Sequence, residues 1–490
     1  MLPTYPRLQT LVRPLDSIRS AMACIDRTGT GIATVVDEDG RLLGVVTDGD
    51  IRRAILGGRD LDEQVDSIMT RSPVTIGPTT DTQEIRRLLV DQRLRQIPVV
   101  DDSGRLVDLV LVSDLVELPL CSPDITSREI DAVLRVLTSG HLSLGPAVPE
   151  FESRLAAASG RAFAVAVNSG TSGLHLVVRS LNLTEGDEVI TTPFSFIASS
   201  NCLLYERVRP VFVDIEPDTL NLDPTLVEAA ITPRTKAILA VDVFGQPARY
   251  DVLSDIAERH KLHLISDCCE SIGAEYKGRR ASEFGIAGVF GFYPNKQVTT
   301  AEGGAIITDN ADIARLCRSM RNQGRSERGG WLMHERLGFN YRLSDLHAAL
   351  GVAQLDRLDD ILRRRQALAD VYGDLLRNVN SIELPYVAPE VTRMSWFVYV
   401  IRLKPPFRRQ DRDRLVQRMA LRGIAANTYF QPIHLQPFYR SCFGYAEGAF
   451  PIGESAAERT VALPFFNELQ PEDAARVASV LAEEIERCKP

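Results

Sequence analysis

GFYPNKQVTTAEGG (291–304) places a lysine, Lys296, in an aromatic, proline-bearing turn that leads into a glycine-rich strand entry. Lysine is scarce in this chain. Six of them (Lys236, Lys261, Lys277, Lys296, Lys404 and Lys489) stand against fifty arginines, so general surface composition did not supply this one. An amine that must form a Schiff base cannot be exchanged for a guanidinium, which stays protonated. A lone lysine after an apolar run is more often a solvated surface residue, so the rest of the chain has to supply a pocket.

Working outward, apolar β-branched runs alternate with helical stretches from 160 to 310: AFAVAVNSG, EVITTPFSF, RPVFVDI, KAILAVDVFG, HLISD, GVFGFYP and GGAIITD. Continuous apolar strands, as opposed to alternating ones, belong to a sheet buried on both faces. That predicts an α/β domain with a mostly parallel sheet and ligands at the strands' carboxyl ends. AFAVAVNSG ends in Asn168-Ser169-Gly170, and Thr171-Ser172 open the next helix. Such a junction offers backbone N–H groups and hydroxyls to a phosphate, although Ser-Gly-Thr also serves as a plain helix cap. HLISD puts Asp267 at the end of a buried strand, where a carboxylate needs a cation such as a protonated pyridine nitrogen, or else caps the following helix. After about 350, one long helix (348–376) leads to strands and helices that read as a smaller α+β domain.

Working back to the start, VVDEDGRLLGVVTDGDIRRAI (35–55) recurs sixty-four residues later as VVDDSGRLVDLVLVSDLVEL (99–118). Each copy reads helix, strand, Asp-Gly-type turn, strand, helix. The repeat resembles a tandem CBS-domain pair over 8–118. In such pairs a Thr or Ser, with an Asp three residues on, binds the phosphate and ribose of an adenine nucleotide, and Thr47 and Asp50 fit that pattern. The second copy keeps Asp114 but has Leu111 in the hydroxyl's place and Asp108 in that of Gly44. The pair is either a nucleotide site or an association module. Residues 119–125 form a Pro-containing linker, and Thr126 with Glu129 makes a capping box that opens the next domain. The expected division is 126–365 for the larger part, including its N-terminal segment, and 366–490 for the small domain.

A chain of 490 residues with 25% charged and 44% hydrophobic residues is that of an ordinary globular protein of several domains. The net charge of -9 argues against non-specific nucleic-acid binding. The opening MLPTYPRLQTLVRP lacks an apolar core, and no later run approaches a membrane span, so a cytoplasmic location is expected. Eight cysteines without CxxC spacing read as reduced thiols, with Cys268 and Cys269 as buried filling; His260 and His263 lack a third ligand, so no metal site is expected.

The ordered series SGHLSLGP, NSGTSGLHL, TTPFSFIASSN, VDVFGQP, ISDCCESIGAEYKG, FYPNKQVTTAEGG, RNQGR, LGFNYRLSDLHAALG and PIHLQPFY resembles the DegT/DnrJ/EryC1/StrS sugar aminotransferases over about 120–490. These are fold-type I enzymes of pyridoxal 5'-phosphate. The resemblance implies Lys296 as the Schiff-base lysine and Asp267 as partner of the pyridine nitrogen. It implies Phe196 stacked on the ring, Gly170, Thr171 and Ser172 at the phosphate, and Asn340 reaching the phosphate of the other subunit, hence a homodimer or higher homo-oligomer. Two positions depart from the family pattern. Gly291 stands where a serine often binds the phosphate, and Glu270 where Gln or His contacts the phenolic oxygen, so Glu270 is either protonated or turned away. The implied reaction transfers an amino group from L-glutamate to a nucleotide-linked keto-sugar. The wording is most similar to the perosamine-synthase branch, which acts at C4 of a 4-keto-6-deoxyhexose on GDP. Two alternatives stand beside it: a nucleotide-sensing regulatory or scaffold protein, and a sugar dehydratase relative, whose kind carries His in place of the lysine.

Overall fold

The computed structural model describes residues 8–92, 94–326 and 333–489. Residues 1–7, 93, 327–332 and 490 lie outside the described residues. The chain forms two units: one runs to Leu118 and takes in Val416–Ala425, and the other is the remainder.

In the larger unit the apolar runs become the strands β1 (Phe163–Val167), β2 (Glu188–Thr191), β3 (Arg209–Phe212), β4 (Thr235–Val241), β5 (His263–Asp267), β6 (Ala287–Gly291) and β7 (Gly304–Thr308). Their order is β1-β7-β6-β5-β4-β2-β3, with parallel pairing from β6 to β3 and β7 antiparallel to both its neighbours. The continuous apolar character has the expected cause, since both faces are covered. Val165 and Val167 of β1 enter one core together with Leu239, while Ala164 and Ala166 enter another with Phe290 and Ile307. Each large apolar side chain so buried contributes about 1.5–3 kcal/mol.

Helix α1 (Ser127–Ser139) begins at the capping box, where Thr126 N donates to Glu129 Oε2 at 2.7 Å, and ends at Gly140 in the left-handed region (φ 75°). After α2 (Ala147–Ser159), α3 (Gly170–Ser180) follows β1 directly and α4 (Ala198–Leu204) follows β2. The long helix expected over 348–376 is instead two, α5 (Asp345–Leu355) and α6 (Leu358–Leu376). Arg357 breaks it: its backbone leaves helical geometry (φ -111°, ψ 9°), and its guanidinium donates to Glu129 Oε1 at 2.9 Å and to the Asp124 carbonyl at 3.0 Å. The C-terminal part contributes an antiparallel three-stranded sheet of Ile382–Glu383, Tyr399–Leu403 and Thr460–Leu463.

The N-terminal unit holds both copies of the repeat. Ile32–Val36 pairs antiparallel with Leu42–Thr47, and Gln96–Val100 with Leu106–Leu111. Gly40 and Gly104 both sit at φ 80°, the conformation the Asp-Gly-type turns need. The two turns meet, Leu42 N donating to Gly104 O and Leu106 N to Gly40 O, both at 3.0 Å. The first copy ends in the helix Asp48–Leu56, but the second ends in a single 3-10 turn, Val112–Leu115. Leu111 has no hydroxyl to cap a longer helix, and the chain is drawn off by a different partner. Glu117 N donates to Gly423 O at 2.8 Å and Ala425 N to Leu118 O at 2.9 Å. Leu421 packs into the core of this second copy with Ile85, Leu89 and Val110.

Candidate active site

The turn between β6 and β7 is tied at its base by Phe292 N to Gly303 O (2.9 Å) and Thr300 N to Phe292 O (3.0 Å), and Lys296 N closes on Tyr293 O at 2.9 Å. The Lys296 side chain is 14% exposed. Its Nζ lies 3.3 Å from Glu270 Oε1 and 3.9 Å from the centroid of the Phe397 ring, whose face attracts a cation. Lys296 is thus a largely covered amine held on two sides.

Glu270 faces the lysine. Its Oε2 accepts the Phe244 N–H at 2.9 Å. Burial raises the Glu270 carboxyl above the ordinary carboxylate range, Lys296 and the Phe244 amide pull it down, and Asp267 raises it. Phe244 turns its amide inward by adopting φ 59°, ψ 15°. The next residue must be glycine, because a Cβ on Gly245 would stand 1.7 Å from the Ser395 carbonyl oxygen.

Asp267 ends β5 and is buried. Its Oδ2 accepts the Ser199 hydroxyl at 2.7 Å and its Oδ1 the Cys269 amide at 3.1 Å. Ser199 is itself steadied by Ser195 at 2.9 Å. These donors fix the carboxyl at the end of the strand, where it could face a cationic ring nitrogen. Burial pushes the Cys269 thiol up, Asp267 adds to that and Lys296 opposes it, so the cysteine lies near both.

At the start of α3, Ser169 Oγ accepts the Ser172 N–H at 3.1 Å and Ser172 Oγ donates to Asn168 Oδ1 at 2.7 Å. Gly173 N bonds Ser169 O, so the Gly170 and Thr171 amides precede the helical ladder and suit an anion. A Cβ on Gly170 would lie 2.9 Å from Cys269 Sγ and 3.4 Å from Gly291 Cα, and one on Gly291 3.3 Å from the same sulfur. The missing serine at 291 therefore has a steric counterpart: the Cys269 thiol occupies the adjoining space.

Phe196, in the loop before α4, is 62% exposed in the single chain, and its carbonyl accepts the Ser199 N–H at 3.2 Å. Asn340 is exposed and bridges to Asn322. The carbonyl of the next residue, Tyr341, accepts the Asn168 N–H at 3.0 Å, so this segment borders the anion cradle. Thr47, Asp50 and Asp114 lie in the other unit. There Asp50 Oδ2 accepts from Thr47 N (2.8 Å) and Thr47 Oγ1 (2.7 Å), and Asp114 Oδ2 accepts from Leu111 N (2.8 Å).

Four residues here were not singled out from sequence: Ser199, Phe244, Gln297 and Phe397. Ser199 belongs to the quoted TTPFSFIASSN, and Gln297 adjoins Lys296, so proximity to a motif was their only signal. Phe244 likewise lies within the quoted VDVFGQP, and nothing local marks Phe397.

Residues 123–482 match the DegT/DnrJ/EryC1/StrS aminotransferase family, and 10–57 and 65–120 each match the CBS domain. The GDP-perosamine synthase of Caulobacter vibrioides is 35% identical over 373 residues, 76% of this chain and 99% of that protein. The spore coat polysaccharide biosynthesis protein SpsC of Bacillus subtilis is 35% identical over 366 residues, 73% of this chain and 94% of that protein. Among solved structures, the putative sugar aminotransferase Spr1654 of Streptococcus pneumoniae in its PMP form superposes with TM-score 0.73 at 27% identity, covering 76% of this chain and 100% of that one. The pocket around Lys296 thus belongs to a member of the DegT/DnrJ/EryC1/StrS aminotransferase family, preceded in the same chain by a pair of CBS domains.

Proposed function

We propose that this pyridoxal-phosphate-dependent sugar aminotransferase takes the amino group of L-glutamate and passes it to the keto carbon of a nucleotide-linked sugar, C4 of a 4-keto-6-deoxyhexose carried on GDP. The observation that carries the reading is the Lys296 amine, largely covered and 3.3 Å from Glu270. A dehydratase of this family would carry His there, and a scaffold would have no need to bury a lysine. The 35% identity to a protein named GDP-perosamine synthase supports the choice of sugar and nucleotide.

The residues present fit the cofactor. The bare Gly170–Gly291 approach leaves the first amides of α3, with Thr171 and Ser172, to hold a phosphate. Asp267, held in place by Ser199 and the Cys269 amide, would hold the pyridine nitrogen. The exposed Phe196 would cover the ring and Asn340 would reach the phosphate of a second copy, which makes the enzyme a homodimer or a higher homo-oligomer. When bound, pyridoxal phosphate supplies an aldehyde for the amine and a ring that withdraws electrons. Lys296 Nζ, tethered in the pocket, is placed to remove a proton from the substrate carbon and return it to the neighbouring one. The CBS pair tunes this activity through an adenine nucleotide at Thr47 and Asp50, with the second copy, which lacks the hydroxyl, left empty.

The purified enzyme is offered L-glutamate with GDP-, UDP- and dTDP-linked 4-keto-6-deoxy sugars, and products are followed by mass. A gain of one amino group on the GDP sugar is expected. Amination of only the UDP or dTDP sugars changes the substrate, and no amination of any of them sinks the reading. Calorimetry with ATP, ADP, AMP and S-adenosyl compounds tests the CBS site, and no heat with any of them leaves it an association module.

A further inference from the structure

Three residues past Asp267, a second carboxyl is buried against the amine itself. Glu270 Oε1 is 3.3 Å from Lys296 Nζ, with 8% and 14% of the two side chains exposed. The carboxyl is not free to swing away, because Oε2 accepts the buried Phe244 N–H at 2.9 Å. Its main chain is also clamped. Gln297 Nε2 donates to the Glu270 carbonyl at 2.5 Å and to Ser395 Oγ at 2.9 Å, and Ser395 Oγ donates to Ile272 O at 2.6 Å. Lys296 therefore meets a fixed acceptor on one side and the Phe397 face on the other, and a ring face attracts a cation without being able to take its proton.

We propose that Glu270 is the proton partner of Lys296, its Oε1 taking a proton from Nζ when the amine must be unprotonated and returning it when the lysine is released. The proposal rests on Lys296 being the residue that carries the cofactor. The exchange balances within the pocket. One N–H bond breaks and one O–H bond forms, so ammonium and carboxylate become amine and carboxylic acid without net charge leaving the site. Burial penalises the charged pair while the mutual attraction of the two groups offsets that penalty, so the proton can pass either way. The raised Glu270 carboxyl agrees with this, burial being its main cause. An amide at this position could donate a hydrogen bond but could not trade a proton.

Among the described residues, the other titratable groups facing the pair are Asp267, held by Ser199 and the Cys269 amide; Cys269, whose thiol is pushed up by burial; and Tyr429, whose phenol burial and Glu270 push up to about 12.

The test loads wild type, Glu270→Gln and Glu270→Ala with pyridoxal phosphate and follows the visible absorbance of the lysine-bound cofactor from neutral to alkaline pH. A carboxylate beside a protonated nitrogen holds that proton, so losing the charge moves the absorbance transition to lower pH, by roughly one to three units. Gln still offers an acceptor to the Phe244 amide, so that variant keeps the local fold; Ala supplies the second reading. A transition at unchanged or higher pH in both variants overturns the proposal. So does loss of the band in both while wild type retains it, since Glu270 would then hold the cofactor and not the proton. If wild type shows no band and matches Lys296→Ala, the cofactor reading of Lys296 has failed instead, and the two failures are told apart.

Discussion

Two places in this chain present the same kind of polar motif and use it differently. In the N-terminal unit, Thr47 and Asp50 satisfy each other three residues apart: the hydroxyl and amide of Thr47 both donate to Asp50, whose other oxygen is drawn by Arg53. The helix Asp48–Leu56 needs that cap whether or not a nucleotide is ever bound. Around Lys296 the partners come from far apart in sequence. Ser199 crosses 68 residues to reach Asp267, and Gln297 crosses 98 to reach Ser395. No local capping rule accounts for that convergence. A short-range pair explains itself, whereas a long-range cluster of buried polar groups calls for something to hold.

The contrast can be broken by experiment. Lys296→Ala is expected to abolish amino transfer and the cofactor's lysine-bound absorbance together; transfer that survives it would reduce the pocket to a scaffold. Asp267→Asn keeps the Ser199 and Cys269 contacts in shape but removes the charge, and kcat should fall by about 10²–10⁴-fold, measured at saturating substrates. Gly291→Ser adds a side chain beside Cys269 Sγ, whose distance to the new Cβ would be 3.3 Å. Cofactor affinity measured by equilibrium dialysis should weaken by roughly tenfold, as for about 1–2 kcal/mol of crowding. Adding Cys269→Ala should recover it, and a double variant as weak as the single would refute the size exchange. Thr47→Ala is the smallest effect. It should cost about 1 kcal/mol of N-terminal stability by denaturant titration and leave amino transfer without added nucleotide unchanged. A large loss of that basal activity would mean the cap does more than hold a helix.

Much of this was legible in the chain itself, and the reason is distance along it. The strand ends bearing Asn168 and Asp267, the turn bearing Lys296, the capping box at Thr126 and the doubled hairpins are local patterns, each written within ten or so residues. The break at Arg357 was not legible, because its cause is Asp124 and Glu129, more than 200 residues upstream. Phe397 stands in none of the quoted motifs, and nothing nearby in sequence announces that its ring lies against the lysine. The orientation of Glu270 needed Phe244 in a left-handed conformation that sequence does not reveal at a non-glycine residue. The shortened second copy of the repeat was half legible: Leu111 declared the missing hydroxyl, but the segment that replaces the helix comes from beyond residue 415.

That borrowed segment bears on how the protein is made. Leu421 fills the core of the second repeat and Gly423 accepts the amides of Glu117 and Leu118, so the N-terminal unit is stitched by residues that leave the ribosome some 300 positions after the rest of it. Domains usually fold in the order they are synthesised. Here the earlier of the two units is finished late, keeping an open apolar seam until the catalytic part is almost complete, and an expression fragment cut at residue 118 would carry that seam for good.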